Sequence, residues 1–266
     1  MKNLMLWCGL AAWLTGAVID ARAGEDAGPA TWHGYRRLNF TVAERPCWLI
    51  VPHQAAVGRP WIWRAEFFGD EHAPQVDLAL LERGWHVAYM QASDLYGAPK
   101  AIALFDAFYR EAVERRGLAA KVVVEGFSRG GLYAFNFAAT YPERVSALYL
   151  DAPALDIRSW PGPKSPLWPE CLASYGLTEA EAMTAKVSPL DRIEPVVQAR
   201  IPIIGVAGDA DEAVPLKENL AVLERRYREL GGEIEVIIKP GGKHHPHSLP
   251  DPTPIVRFLM QHSKAP

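Results

Sequence analysis

Residues 121–141 of the chain read KVVVEGFSRGGLYAFNFAATY. The valine run predicts a compact buried strand over residues 121–126, and the apolar spacing that follows predicts a helix over residues 132–141. Between the two lies a GxSxG sequence centred on Ser128. Its small glycines permit the very tight strand-to-helix turn that exposes a serine hydroxyl at a helix N-terminus. This stretch therefore predicts a nucleophilic serine held between a strand and a helix.

The same alternation of strands and helices continues on both sides of this unit. Strands are predicted over residues 47–52, 60–65, 85–90, 145–150, 201–207 and 233–239, and helices over residues 76–83, 101–116, 216–230 and 254–262. Such alternation implies an α/β fold with a mainly parallel sheet flanked by helices. The pattern breaks over residues 156–195, which are rich in proline, and we expect a small cap insert there.

The N-terminal 23 residues have the features of a secretory signal peptide. Lys2 supplies positive charge, an apolar run follows, and Ala21-Arg22-Ala23 has the small-x-small form of a cleavage site. A membrane anchor is the rival interpretation, but the run is short for a span. We expect a signal over residues 1–23, a single domain over residues 24–266, and an exported protein, periplasmic or secreted, that leaves the membrane after cleavage.

The amino-acid composition limits the kinds of molecule that the protein is expected to bind. The 28 basic and 31 acidic residues give a formal net charge of −3, too mild to predict binding to nucleic acid or anionic lipid. We expect a small-molecule or neutral glycan substrate and no cofactor. Cys47 and Cys171 are the cysteines that remain after signal cleavage, and they are either a disulfide or two buried thiols.

A serine nucleophile needs an acid and a base. We assign the acid to Asp211, which follows an apolar strand, with Asp209 as the near rival and Asp151 as a more distant one. Aspartates in such loops also shape turns or cap helices.

The base is expected in the segment Lys243-His244-His245-Pro246-His247, after the last strand. A neutral imidazole can take the serine proton and return it to a leaving group. We choose His244, then His245, then His247. Three histidines in four residues also suggest a metal site, but Pro246 interrupts them and no HExxH or CxxC accompanies them. We therefore predict no metal.

Two backbone N–H groups are expected to stabilise the oxyanion. The first is that of Arg129, and the second is that of Ala65, with Arg64 or Glu66 as alternatives. Polar and aromatic side chains are candidates to line a substrate pocket. They are Arg64, Glu66, Asp94, Arg129 and Trp160.

The order of these motifs over residues 40–262 resembles the α/β-hydrolase superfamily. The segments at residues 60–65, 126–131, 208–211 and 244–249 are similar to a group of exported bacterial hydrolases. The resemblance implies an α/β-hydrolase fold, the triad Ser128, Asp211 and His244, and an ester or peptide carbonyl as substrate. Two departures stand out: no His-Gly pair follows Trp63, and Lys243 stands where a glycine often precedes the histidine.

We therefore expect a serine hydrolase that cleaves a carboxylic ester through an acyl-enzyme, on carbohydrate or plant-derived esters. One alternative is a peptidase of the prolyl-oligopeptidase type, although the sequence contains no propeller domain. The other is a catalytically inactive binding protein on the same scaffold.

Overall fold

The structure is a computed structural model that describes residues 30–263. The expected signal peptide and the expected mature start at Gly24 lie outside the described residues. Among the helices of residues 30–263, none is both long and apolar enough to cross a membrane.

A nine-stranded mixed sheet forms the centre of the fold. Its strands are β1 (Ala30–Trp32), β2 (Tyr35–Val42), β3 (Arg45–Val51), β4 (Trp61–Arg64), β5 (His86–Met90), β6 (Val122–Phe127), β7 (Val145–Asp151), β8 (Ile203–Gly208) and β9 (Ile234–Lys239). Their spatial order is β1-β2-β3-β5-β4-β6-β7-β8-β9. The last six in that order are mutually parallel, and β1 to β3 join antiparallel at one side. Because β6 lies inside the parallel part, its carboxyl end is flanked by the ends of other strands.

Helices cover both faces of the sheet. They are α1 (Gln75–Leu81), α2 (Pro99–Arg110), α3 (Gly130–Thr140), α4 (Trp168–Tyr175), α5 (Glu179–Ala182), α6 (Ile193–Gln198), α7 (Leu220–Glu229) and α8 (Thr253–His262). Two apolar cores separate them from the sheet. The larger core includes residues of α2, α3 and α7, and the smaller one includes residues of α1 and α8. Helices on both faces of a mainly parallel sheet confirm the predicted α/β-hydrolase fold.

The predicted strands and helices are all present, with ends shifted by a few residues. Two strands were missed, β1 and β2, which extend the sheet beyond β3. The predicted helix over residues 101–116 is α2 continued by a π-helical turn at Glu111–Arg115. A short 3-10 helix at Leu216–Glu218 precedes α7 within the predicted range 216–230.

The segment between β7 and β8 contains three short helices, α4, α5 and α6, where the cap insert is expected. It packs on the loop that precedes α2, since the Tyr175 hydroxyl donates to the Tyr96 carbonyl at 2.9 Å. It also reaches α3, where the Asn136 amide donates to the Val187 carbonyl at 3.4 Å. These contacts place the insert beside the serine-bearing unit.

The two cysteines are free and buried, so they form no disulfide with each other. Burial raises the pKa of each thiol to about 12. They behave as small apolar residues of the core.

Candidate active site

Ser128 lies in a strained turn between β6 and α3. Its φ of 50° is in the left-handed region, which is costly for a residue with a Cβ. Backbone hydrogen bonds hold the turn: the Ser128 N–H donates to the Asp151 carbonyl at 2.9 Å, and the Ala154 N–H donates to the Ser128 carbonyl at 2.8 Å. The strain is therefore supported by the end of β7 and the residues after it.

The glycines around Ser128 make room for this turn. A Cβ on Gly126 would lie 2.8 Å from the Gly130 carbonyl oxygen. A Cβ on Gly131 would lie 2.7 Å from the Ala154 carbonyl oxygen. Atoms cannot approach so closely without displacing backbone, so both positions require glycine.

The loops after β8 and β9 cross in close contact. A Cβ on Gly208 would lie 2.0 Å from the Gly242 carbonyl oxygen, and that oxygen accepts the Ala210 N–H at 2.9 Å. The Gly241 N–H donates to Asp209 Oδ1 at 2.6 Å. This crossing brings the loop that carries Asp211 against the loop that carries His244.

Ser128, His244 and Asp211 form one hydrogen-bonded chain. His244 Nε2 lies 2.9 Å from Ser128 Oγ, and His244 Nδ1 lies 2.7 Å from Asp211 Oδ2. The other oxygen of Asp211 accepts the Ala213 and Val214 N–H groups, each at 2.9 Å. The carboxylate is thus fixed in place, and it favours the imidazole tautomer whose Nε2 lone pair faces the serine hydroxyl. Such an arrangement can remove a proton from Ser128 as its oxygen attacks a carbonyl.

The two rival carboxylates have other partners. Asp209 binds the loop of Gly241, as described above. Asp151 Oδ1 lies 2.7 Å from His247 Nδ1, and Asp151 Oδ2 accepts the Ser248 N–H at 2.9 Å and the Tyr149 hydroxyl at 3.1 Å. This second carboxylate–histidine pair was not predicted from the sequence. The position of Asp151 at the end of a parallel strand was the available signal.

The three histidines have distinct surroundings. His244 is partly buried, His245 is exposed and His247 is buried. One ring nitrogen from each lies within 4.8 Å of those of the other two. Burial, and then the neighbouring His247 and His244 rings, lower the pKa of His245. These are the residues of the site whose chemistry suits a metal ion.

The prediction that the Ala65 N–H is the second oxyanion donor is wrong. Its N–H donates to the Glu125 carbonyl at 2.8 Å and continues the sheet, so it has no proton free for a substrate oxygen. The Glu66 backbone lies next to the serine turn, since a Cβ on Gly130 would be 3.6 Å from the Glu66 nitrogen. Glu66, one of the two alternatives, therefore replaces Ala65 as the candidate. The Arg129 N–H lies at the N-terminus of α3, where backbone N–H groups lack intrahelical acceptors.

The expected role of Arg64 in substrate binding is also wrong. Its side chain is fully buried, and its guanidinium donates to Asp77 Oδ2 and to the His72 carbonyl, both at 2.6 Å. Glu125 lies 3.7 Å away on the neighbouring strand β6. Arg64 is a buried ion-pair partner beneath the site and cannot reach a bound molecule.

Glu66 and Arg129 form an ion pair beside the serine. Arg129 Nε donates to Glu66 Oε2 at 3.0 Å, and the Ser93 hydroxyl donates to Glu66 Oε1 at 2.6 Å. Glu66 is buried and Arg129 is partly exposed, so the guanidinium is the accessible part of the pair. Sequence reasoning named both residues but did not predict that they pair.

The other pocket candidates lie further out. Trp160 is in the insert, with its ring centroid 6.1 Å from that of Tyr96. Asp94 forms an exposed ion pair with Arg45 at 2.8 Å. Within the described residues, no hydrogen bond, ion pair or ring contact joins either of them to Ser128 or His244.

Comparison with known proteins identifies a family. The model of the prolyl oligopeptidase family matches residues 105–262, which is more than half of the chain. No curated protein matches the sequence. Three solved structures illustrate the fold, each at 16% sequence identity.

The first of these is dipeptidyl peptidase 4 from Porphyromonas gingivalis, with a TM-score of 0.63 over 86% of this chain and 36% of that one. The second is a cold-adapted esterase from an Arctic intertidal metagenomic library, with a TM-score of 0.60 over 91% of this chain and 100% of that one. The third is the carboxylesterase Cest-2923 from Lactobacillus plantarum, with a TM-score of 0.61 over 85% of this chain and 96% of that one. The chain thus spans about a third of the peptidase and almost the whole length of the esterases.

Proposed function

We propose that this chain, which belongs to the prolyl oligopeptidase family of serine hydrolases, cleaves carboxylic esters with Ser128 as nucleophile, His244 as base and Asp211 as the orienting acid. The observation that carries the proposal is the hydrogen-bonded chain from Ser128 Oγ through His244 to Asp211, with links of 2.9 and 2.7 Å.

The first half of the reaction forms an acyl-enzyme. Ser128 Oγ attacks the ester carbonyl carbon while His244 Nε2 takes the hydroxyl proton, and Asp211 stabilises the imidazolium that results. The carbonyl oxygen gains the negative charge and is stabilised by the Arg129 and Glu66 N–H groups. When the tetrahedral intermediate collapses, the bond to the alcohol oxygen breaks, and His244 returns its proton to that oxygen.

The second half releases the acid. A water molecule replaces the alcohol, His244 takes one of its protons, and the resulting hydroxide attacks the acyl carbon. Collapse of this intermediate breaks the bond to Ser128 Oγ, which recovers its proton from His244. Each catalytic group is then in its starting state.

Two features support an ester over a peptide bond. The esterase neighbours are matched over 96% or more of their length, so a chain of this size suffices for an esterase. In addition, the Glu66 carboxylate beside the serine is neutralised by Arg129 at 3.0 Å. A peptidase that recognises a free amino terminus needs an unpaired carboxylate to bind its ammonium group, and Glu66 does not supply one.

We further propose that the enzyme is exported and acts on esters of carbohydrate or plant-derived material. The accessible guanidinium of Arg129 beside Ser128 and the aromatic ring of Trp160 in the insert support a polar substrate with a flat face. The signal-like N-terminus supports export. Mass spectrometry of the protein recovered from the periplasm or medium should find a mature N-terminus at Gly24.

The test is hydrolysis by the purified protein and by Ser128→Ala. The wild type should hydrolyse short p-nitrophenyl esters and at least one of the acetylated, methylated or feruloylated glycans. Ser128→Ala should lose this activity by at least about 10³-fold while its thermal transition stays near that of the wild type. Retained ester turnover in the variant would refute the mechanism.

A peptidase is the second candidate, and the family match is the observation that favours it. Chromogenic dipeptides distinguish the two. Turnover of dipeptides with a kcat/KM above that of every ester tested would favour the peptidase.

A further inference from the structure

The three histidines of the loop after β9 pack edge-to-face against one another. One ring nitrogen of each of His244, His245 and His247 lies within 4.8 Å of the others. His245 and His247 also line an open pocket of about 310 Å³, in which His245 is exposed and His247 is buried. The proposed reaction uses only His244. The other two rings have no role in it.

We propose that His244, His245 and His247 bind a zinc ion, and that zinc reversibly inhibits the hydrolase by occupying the nitrogen that acts as base. Imidazole nitrogens are preferred ligands of zinc, and three of them with a water or hydroxyl group complete a four-coordinate site. The part of the inference that concerns inhibition rests on the proposed function. The part that concerns zinc binding does not.

Two of the rings are already oriented in the way that a zinc ligand requires. His244 Nδ1 is hydrogen-bonded to Asp211 and His247 Nδ1 to Asp151, each at 2.7 Å. A proton on Nδ1 that is donated to a carboxylate leaves the lone pair on Nε2. In His244 this lone pair faces Ser128 Oγ at 2.9 Å, so zinc would displace that hydroxyl from it. Carboxylate–histidine pairs of this kind orient the ligands of protein zinc sites. The chain supplies two such pairs side by side.

The spacing fits after a small movement. Tetrahedral zinc with bonds of about 2.0–2.1 Å places its nitrogen ligands about 3.4 Å apart. The observed nitrogen spacing of up to 4.8 Å exceeds this by about 1.4 Å. The ring centroids are already only 4.7–4.9 Å apart, so the rings must turn their nitrogens toward a common point. His245 is exposed, so its ring can turn with little resistance from neighbours.

The charged groups around the three histidines favour binding of a cation. Asp151 and Asp211 are both buried against the histidines and carry the compensating negative charge. Two lysines line the same pocket. Lys243 is exposed to solvent, and the ammonium group of Lys239 is bound to the loop backbone, where it donates to the Pro246 carbonyl at 2.7 Å. It is thereby directed at backbone oxygen.

Calorimetric titration of the full-length protein with zinc chloride tests the binding. We expect one zinc per chain, and no comparable binding of magnesium, which prefers oxygen ligands. His245→Gln and His247→Gln should each weaken zinc binding at least tenfold. His53→Gln, at an exposed histidine that stacks on Tyr35, is the matched control and should leave it unchanged. Absence of zinc binding, or equal affinity in the two cluster variants and the wild type, would overturn the site.

The second arm measures ester hydrolysis with zinc, each variant compared with its own rate without metal. Zinc should inhibit the wild type and EDTA should restore the rate, and His245→Gln should need at least tenfold more zinc for the same inhibition. Zinc that binds without inhibiting would overturn the inhibitory role. A protein that binds zinc but hydrolyses no ester would contradict the proposed function and leave the site standing.

Discussion

Asp211 differs from its neighbours in what its two oxygens bind. One accepts two backbone N–H groups and the other faces His244 Nδ1 at 2.7 Å, whereas Asp209 binds the backbone of Gly241. The two residues therefore offer a matched pair of amide substitutions. Asp211→Asn keeps the shape but favours the wrong imidazole tautomer.

We expect Asp211→Asn to lower kcat by about 10⁴-fold with a small effect on stability. Asp209→Asn should lower kcat by about tenfold or less, because its carboxylate holds a loop and does not touch the base. Steady-state ester hydrolysis checks both. Equal losses in the two variants would show that Asp211 has no special role.

Glu125 gives a prediction about pH. It is fully buried beside Arg64 and Asp77, and burial raises the pKa of its carboxyl well above the usual range. A proton on Glu125 can be donated to Asp77. The folded state therefore holds a proton that the unfolded chain releases at a lower pH, so this group's contribution to stability falls as pH rises above the ordinary carboxyl pKa.

Glu125→Gln imitates the protonated form and removes that dependence. We expect the free energy of unfolding of the variant, relative to wild type, to improve between pH 5 and pH 8. Urea unfolding at the two pH values measures it. A difference that stays constant, or that moves in favour of the wild type, would contradict a protonated Glu125.

At the residue scale, the sequence predicted which segments form the site, but the roles predicted for Arg64 and Ala65 were wrong. Arg64 is the last residue of the apolar strand β4 and Ala65 follows it, where a pocket residue and an oxyanion donor are expected. Their partners, Asp77 on α1 and the Glu125 carbonyl on β6, come from distant parts of the chain. Only the strand order reveals that β4 lies between β5 and β6, where its polar groups are already used.

At the scale of elements, the strand–turn–helix unit around Ser128 depends on close backbone approach. Gly131→Ala would place a methyl group 2.7 Å from the Ala154 carbonyl oxygen. We expect a loss of about 1–3 kcal/mol in the free energy of unfolding. We also expect a lower kcat, because the turn that aims Ser128 must shift.

Gly176→Ala is the control for this substitution. Gly176 ends α4 with φ of 67° and has no atom within 4 Å of an added Cβ. It should cost about 1 kcal/mol through backbone strain alone and leave kcat unchanged. Denaturant unfolding and ester assays on both variants check the pair, and a loss of kcat in Gly176→Ala would argue against the steric account.

Most elements were predictable because their signals are local. Three valines before a glycine indicate a buried strand wherever they occur, and the spacing of apolar residues in α7 and α8 indicates helices. Strands β1 and β2 were not predicted, because polar residues such as Arg36 and Arg37 weaken the alternation of apolar and polar residues that indicates a strand. The sequence ranked His244 first among three histidines but left His245 and His247 open. The contact of His244 with Ser128 depends on the crossing of the Gly208 and Gly242 loops, which local sequence does not encode.

At the scale of the whole molecule, the reactivity of the two buried thiols measures how often the whole fold opens. Cys47 lies in β3 and Cys171 in α4, and burial raises the pKa of each to about 12. At neutral pH both are protonated and covered. Iodoacetamide should therefore label neither in the native protein and both in urea, as counted by mass spectrometry. Rapid native labelling of either would contradict this core.

The family and the fold are those of serine hydrolases. The structure shows, in addition, where the Ser128 hydroxyl lies. That placement involves the ends of β6, β7, β8 and β9 at one edge of the sheet. We propose that this hydroxyl is a nucleophile activated by His244.

The most direct measurement is labelling with a fluorophosphonate probe, followed by peptide mass spectrometry. The adduct should be on Ser128, should be absent from folded Ser128→Ala, and should form at least about 10²-fold more slowly in His244→Ala. A folded wild-type protein that forms no adduct, or that forms it on another residue, would contradict the account and favour an inactive binding protein on the same scaffold.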